Sequence, residues 1–180
     1  MKIRNYIGAG AVLFGMTALS MSPALAAPLG PPDSDALVAA FQIIQFDLQE
    51  CNALHRGVST ANGNGSVAVD ILTVSGKICS DASTYQPLLS KIASDKGFEL
   101  PSYLPYMLTA RSAALIRNQG PGLGVRYLND QIESHSDAVA VFQDEVANGK
   151  DPDVRAAAVK VLPTVQSNLD LLKATLAKYQ

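Results

Sequence analysis

The sequence predicts an all-α protein: an up-down-up-down bundle of four long helices with one extra short helix. Three observations carry that expectation. Apolar residues recur at steps of three and four through most of the chain, the spacing that lines one face of an α-helix. Alanine and leucine dominate, tryptophan is absent and aromatics make up only 6% of the residues, a composition suited to helices packed on helices rather than to a β-sandwich. Finally, Asn148-Gly149-Lys150-Asp151-Pro152 joins two such patterns directly. Its glycine ends one helix, its aspartate caps the next, and its proline fits the first turn.

Residues 1–26 read as a signal peptide. Lys2 and Arg4 make a basic start, Ile7 to Leu19 is an apolar core, Ser22-Pro23 breaks it, and Ala24-Leu25-Ala26 supplies the small residues that signal peptidase reads. The apolar run is shorter than the ~20 residues needed to span a bilayer. No cysteine stands near the cut to take a lipid. The expectation is an exported chain without a transmembrane anchor after cleavage, in the periplasm, free or peripheral to the outer membrane. Without Lys2 and Arg4, twelve basic residues face sixteen acidic ones, a net charge of −4. The signs are interspersed, so no basic stripe is offered to nucleic acid.

After a flexible lead-in over 27–34, stiffened by Pro28 to Pro32, residues 35–178 make a single helical-bundle domain. Asp33-Ser34-Asp35 supplies a cap and acidic first-turn residues for the first helix. Leu37, Phe41, Ile44, Leu48 and Cys51 form its seam to about Arg56, and Ile43, Phe46, Ala53 and Leu54 widen the buried face. His55 continues the register as a packing or capping group. Asn62-Gly63-Asn64-Gly65 then makes a surface turn, with no GKS or GKT and no preceding strand to suggest phosphate binding. The second helix, from between Val67 and Asp70 to about Lys96, carries Ile71, Val74, Ile78, Asp81, Tyr85, Leu88 and Ile92. Pro87 predicts a kink, with the hydroxyls of Ser83 and Thr84 taking up part of the lost hydrogen bonding.

Ser102 is the expected cap of a short third helix with Pro105 in its first turn and Leu104, Leu108, Leu115 and Ile116 on its apolar face. It stops by Gly120-Pro121-Gly122. The fourth helix has the strongest pattern: Leu128, Ile132, His135, Val139, Phe142 and Val146. The fifth starts at Asp151-Pro152 and carries Val154, Ala158, Val161, Val165, Leu169, Leu172 and Leu176, with a second kink expected at Pro163.

Tyr127-Leu128 through His135, the Gly149-Lys150-Asp151-Pro152 link, Leu162-Pro163-Thr164 and the Gly97 to Pro101 join together resemble the bacterial exported family catalogued as domain of unknown function 4142. The resemblance covers most of 35 to 178 and implies a ferritin-like four-helix bundle, with no established chemistry. Three positions depart from the family pattern. Ala82 follows Asp81 where the family has histidine, Asn168 stands where it has another, and Leu123-Gly124 replaces phenylalanine-aspartate. Of the family's histidines only His135 remains.

A two-metal site of the ferritin-like kind needs about six inward ligands, including two Glu-x-x-His pairs. Here Asn52 precedes His55 by three and Ile132 precedes His135 by three. Glu50, Asp81 and His135 converging would make at best a poor mononuclear site. No catalytic, cofactor-binding or metal residues are therefore assigned, and no cofactor is expected. Asp81, His135 and Asn168 are expected as a buried polar cluster that fixes helix register, His135 bonding to Asp81 or Asn168. No G-x-S-x-G nucleophile setting exists. Cys51 and Cys79, in an oxidising compartment, are a disulfide candidate: on antiparallel helices they match in height if the turn centres at Gly65. Cys79 sits on the flank of its helix, one past Ile78, so facing decides, and unbridged the two would be packed core residues.

The function expected is that of a non-enzymatic envelope or stress-related structural or interaction protein meeting an unknown envelope partner. A carrier or chaperone holding a small apolar ligand between kinked helices is the second reading, and a ferritin-like metal or redox protein the third.

Overall fold

Among its described residues the computed structural model has five helices in succession: α1 (Asp33–Thr60), α2 (Val69–Asp95), α3 (Tyr106–Arg117), α4 (Leu123–Asn148) and α5 (Pro152–Leu176). The structure describes residues 29–60, 67–117, 120 and 122–180. The expected signal peptide, the lead-in before residue 29, the Asn62 to Gly65 turn and Pro121 lie outside the described residues.

The long helices form a ring in which α1 touches α2 and α4, and α5 touches the same two. Contacts between helix ends give their directions. Asp33, at the start of α1, reaches the link after α4, with Oδ1 accepting from the backbone N–H of Lys150 and Asp151 at 2.8 Å each. Lys178, past the end of α5, pairs with Asp70 at the start of α2. Lys96, at the end of α2, pairs with Asp151 and Asp153 at the start of α5. Every neighbouring pair is thus antiparallel, and α2 and α4 run the same way. The four long helices therefore run up-down-down-up rather than in the expected up-down-up-down order, because short α3 carries the chain back along the outside, against α1 and α4, before α4 begins. Four long helices with one crossover is the connectivity of ferritin-like bundles.

Two apolar clusters fill the ring. Leu37, Ile44, Leu89, Phe142, Val154 and Val161 pack the end nearest the α4–α5 link. Leu54, Ile71, Ile78, Leu115, Leu128 and Leu172 pack the other. Each such side chain, fully buried, contributes roughly 1.5–3 kcal/mol. The α5 seam lies inward as expected, with Val165 alone half-buried. On α2 the expected seam holds only to Ile78. Beyond it the interior positions are Ala82, Leu89 and Ala93, one residue on from Asp81, Leu88 and Ile92. A straight helix turns 3.6 residues, so a stripe assumed to keep stepping evenly drifts off the core.

α3 begins at Tyr106 rather than at a Ser102 cap, and only Ser112 and Leu115 are buried on it. Lying outside the ring, it has one helix face to cover and needs little apolar surface. Pro87 and Pro163 both sit inside unbroken helices. The Ser83 and Thr84 hydroxyls donate to the carbonyls of Cys79 and Ser80, not to the Ser83 carbonyl that Pro87 deprives of a donor. His55 is exposed.

The α4–α5 link is held from both sides. Asp151 Oδ1 caps α5 through the N–H groups of Asp153 and Val154, and Gly149 N–H donates to Glu145 O at 2.8 Å. A Cβ on Gly149 would stand 2.5 Å from that carbonyl and closer still to Glu145 Oε1. Gly149→Ala is expected to cost about 1–3 kcal/mol, the usual range for forcing atoms into packed space. Urea denaturation checks this: a change inside experimental error would mean the link relaxes freely.

Candidate functional site

The chemistry-bearing residues fall in three places, beginning with a polar layer inside the ring. Glu50 and Asp47, three apart on α1, share one face, and Gln131 on α4 meets them. Gln131 Nε2 donates to Glu50 Oε2 at 3.2 Å. All three are buried, as are Ser75 on α2 and Ser134 on α4. Burial pushes Glu50 up to about 8, aided by the charge of Asp130, and raises Asp47 as well. One oxygen each of Asp47, Glu50 and Gln131 has no hydrogen-bond partner. Such groups cost about 1–3 kcal/mol apiece unless water or a proton satisfies them.

The second place contains the expected Asp81, His135 and Asn168 cluster. Asn168 Nδ2 donates to Asp81 Oδ2 at 2.9 Å. A lysine the sequence reading did not single out closes the group: Lys77 Nζ lies 2.7 Å from both Asp81 Oδ2 and Asn168 Oδ1. Asp81 is half-buried on the flank of α2, which is what lets Lys77 reach it from solvent. His135 is buried and lines a cavity of about 30 Å³ together with Asp81 and Asn168. Its hydrogen bond, however, runs from Nδ1 to the carbonyl of Gln131, 3.0 Å away on its own helix. The expected pairing of His135 with Asp81 or Asn168 is thereby replaced by a local one. Burial holds the imidazole down to about 4, so it is neutral at ordinary pH.

Cys51 and Cys79 are brought together by α1 and α2 with Cα atoms 6.3 Å apart, and the structure joins them. That separation is inside the range a bridge needs. Cys51 is fully buried, with the Tyr127 hydroxyl 3.8 Å from its sulfur.

The two-metal arrangement that a ferritin-like fold invites does not fit these residues. Glu50 already holds the Gln131 amide, and a lysine cation occupies the Asp81–Asn168 pair. Residue 132, three before His135, is isoleucine. Among the described residues no group of three His, Cys, Asp or Glu side chains is placed to hold a metal ion.

The third place is on the surface. Tyr103, Tyr106 and Met107 are 75%, 83% and 61% exposed, a cluster of large apolar side chains where the chain enters α3. Beside it runs a groove of about 280 Å³ between α1 and the 100–104 segment, walled by Phe41, Gln45, Gln49, Leu100, Pro101 and Leu104. The sequence signal was present as Tyr103-Leu104-Pro105-Tyr106-Met107, apolar and without a helical repeat. Asp47, Gln131 and Lys77 had weaker signals: each lies at helical spacing from a seam residue but looks like an ordinary solvated position.

Residues 75–175 match the family model described as domain of unknown function (DUF4142). Among solved structures, the chain is similar to the crystal structure of a DUF305 fragment from Deinococcus radiodurans. The TM-score is 0.68 and the identity 13%, over 84% of this chain and 99% of that one, so the likeness is one of fold. No curated protein matches.

Proposed function

This chain belongs to the family described as domain of unknown function (DUF4142), and from that premise we propose that it is an exported, non-enzymatic bundle that docks an envelope protein through the Tyr103–Met107 surface. The observation that carries the reading is that exposed patch. Two tyrosines and a methionine stand in water beside a groove whose polar side chains, Gln45, Gln49 and Ser102, are neutral. Aromatic and methionine side chains are enriched where proteins meet, and exposed ones in a group mark such places. A neutral surface of this kind suits an apolar protein face rather than nucleic acid or an anionic headgroup.

The interior supports this over a carrier. The cavity beside His135 holds about 30 Å³, room for water, whereas small-molecule pockets run to ~300 Å³ or more. The space of that size between α2 and α5, about 360 Å³, is a surface groove edged by Lys91, Asp95, Lys96, Asp153 and Lys160 rather than an apolar interior. No described helix is long and apolar enough to cross a membrane.

Cells expressing the full chain with a photo-reactive residue at position 106 test the reading. The expected result is a mature protein beginning at Ala27 in the periplasmic fraction, crosslinked to one envelope protein. The adduct should be lost when Tyr103 and Met107 are both alanine. Retention in the cytoplasm, or an adduct indifferent to those substitutions, would overturn the proposal.

A further inference from the structure

Glu145 is in a position that neither the fold nor the docking surface requires. It lies at the end of α4, fully buried, and among the described residues neither carboxyl oxygen makes a well-formed hydrogen bond, the polar side chain set against it being Asp33. One side of it is apolar: with Ala36, Leu37, Leu89, Phe142 and Val154 it lines a gap of about 10 Å³, too small to hydrate an ion. The other side is acidic. Asp33 faces it from α1, Asp144 is next to it on α4, and Asp151 approaches from the link. The basic groups nearby are engaged elsewhere. On α2, Lys96 bridges Asp151 and Asp153, and on α5, Arg155 donates to the carbonyl of Gly149. Lys150 in the link is exposed. Gly149 leaves the room that the Glu145 carboxyl takes, since a Cβ there would overlap it.

Asp33 is at the same time the residue that fastens α1 over the link, its Oδ1 accepting from Lys150 and Asp151 N–H. Two carboxyl groups can share this spot only if one carries a proton. We propose that the α4–α5 link is a proton-operated clasp: with Glu145 protonated, Asp33 closes over Lys150 and Asp151, and release of that proton to solvent drives the first turn of α1 off the link. The moving part is identified by what holds each acid. Asp151 is fixed by an ion pair to Lys96 and by its own cap on α5, whereas the Asp33 carboxyl is held only by the two link bonds, at the head of a turn anchored one turn further on by Ala36 and Leu37. Burial first, and then the charge of Asp33, pushes Glu145 up to about 7, which sets the opening in the neutral range. This goes beyond the docking proposal and shares no residue with it.

The test is an NMR titration of the full mature chain from pH 5.5 to 8.5, following the backbone amides of Lys150 and Asp151. Both resonances are expected to move together with a common midpoint near 7, away from their hydrogen-bonded positions. Glu145→Gln, neutral throughout, should hold them at the low-pH positions across the range. Asp33→Asn keeps an acceptor oxygen but removes the facing charge, and should move the midpoint down by a unit or more. It also serves where Glu145→Gln folds poorly. Amides that do not move in the wild-type chain, or that move with an unchanged midpoint in either variant, would overturn the clasp.

Discussion

Replacing Glu50 with glutamine is expected to stabilise the bundle by about 3–5 kcal/mol at pH 8 and to leave it nearly unchanged at pH 4.5. In the folded chain the carboxyl is pushed up to about 8 from an ordinary 4.5, first by burial and then by Asp130, while Gln131 pulls it part of the way back. Below pH 4.5 both states hold the proton and the shift costs nothing. Between 4.5 and 8 the unfolded chain has given up a proton that the folded chain keeps, so stability falls with each unit of pH. Glutamine cannot ionise in either state and removes that slope. Asp47 and Glu145, raised by burial in the same way, keep their own shares of the alkaline loss.

His135 acts on the acid side. Its folded value of about 4 lies below the ordinary 6.5, so the stability it contributes is present above 6.5 and is lost as pH falls towards 4. Between pH 4.5 and 6.5 this gain offsets only one of the three carboxyl losses, so the wild-type chain should be most stable near pH 4.5 and weaken towards alkaline pH, and the variant should weaken less steeply. Urea midpoints at pH 4.5, 6 and 8 decide it. A variant weaker than wild type at pH 8 would show that Glu50 is held ionised by a partner.

Cys51→Ser with Cys79→Ser should cost ~3 kcal/mol, the effect of opening a loop of this size, and lower the melting temperature by roughly 6–12 °C. The two residues are 28 apart in sequence, and Cys51 is fully buried, so the serine hydroxyl would also need a new partner. Alkylation of the oxidised, unfolded chain followed by intact-mass measurement is the direct check. No added alkyl group is expected. Two added groups would mean that the pair is packed but unbridged, and the double variant should then cost far less.

The long seams were legible because one physical rule governs them. From Val154 to Leu176, α5 has a single apolar stripe, and the structure buries that stripe. The Gly149–Pro152 link was legible because each of its residues has a backbone reason to be there. The drift of α2 past Ile78 was not, since whether Asp81 or Ala82 faces inward depends on helix curvature and on Lys77 reaching in from the flank. Nor was the polar layer. Asp47 and Gln131 are residue types normally found in water, and only the docking of α4 against α1 takes them out of it. His135 could be placed inside from its stripe, but not its partner, because the carbonyl four residues back competes on equal terms with any side chain across the bundle. The α3 start was missed because Ser102 has a capping side chain but no helix yet to cap.

The contact between Asp33 and the link also says something about the order in which the protein assembles. It spans 117 and 118 residues, against 28 for the cysteine pair and almost none for the α4–α5 turn. Loop-closure entropy rises by ~0.6 kcal/mol for each doubling of length, so closing the Asp33 contact from an open chain costs roughly 1.2 kcal/mol more than closing the cysteine loop. Two hairpins, α1–α2 and α4–α5, should then form first and dock afterwards, with Asp33 seating last. In pulse-labelled refolding, the amides of Lys150 and Asp151 should gain protection after those within α4 and α5. Until that final step the first turn of α1 lacks its two link bonds, so the earliest-synthesised helix of the bundle is the last to be fastened at that end.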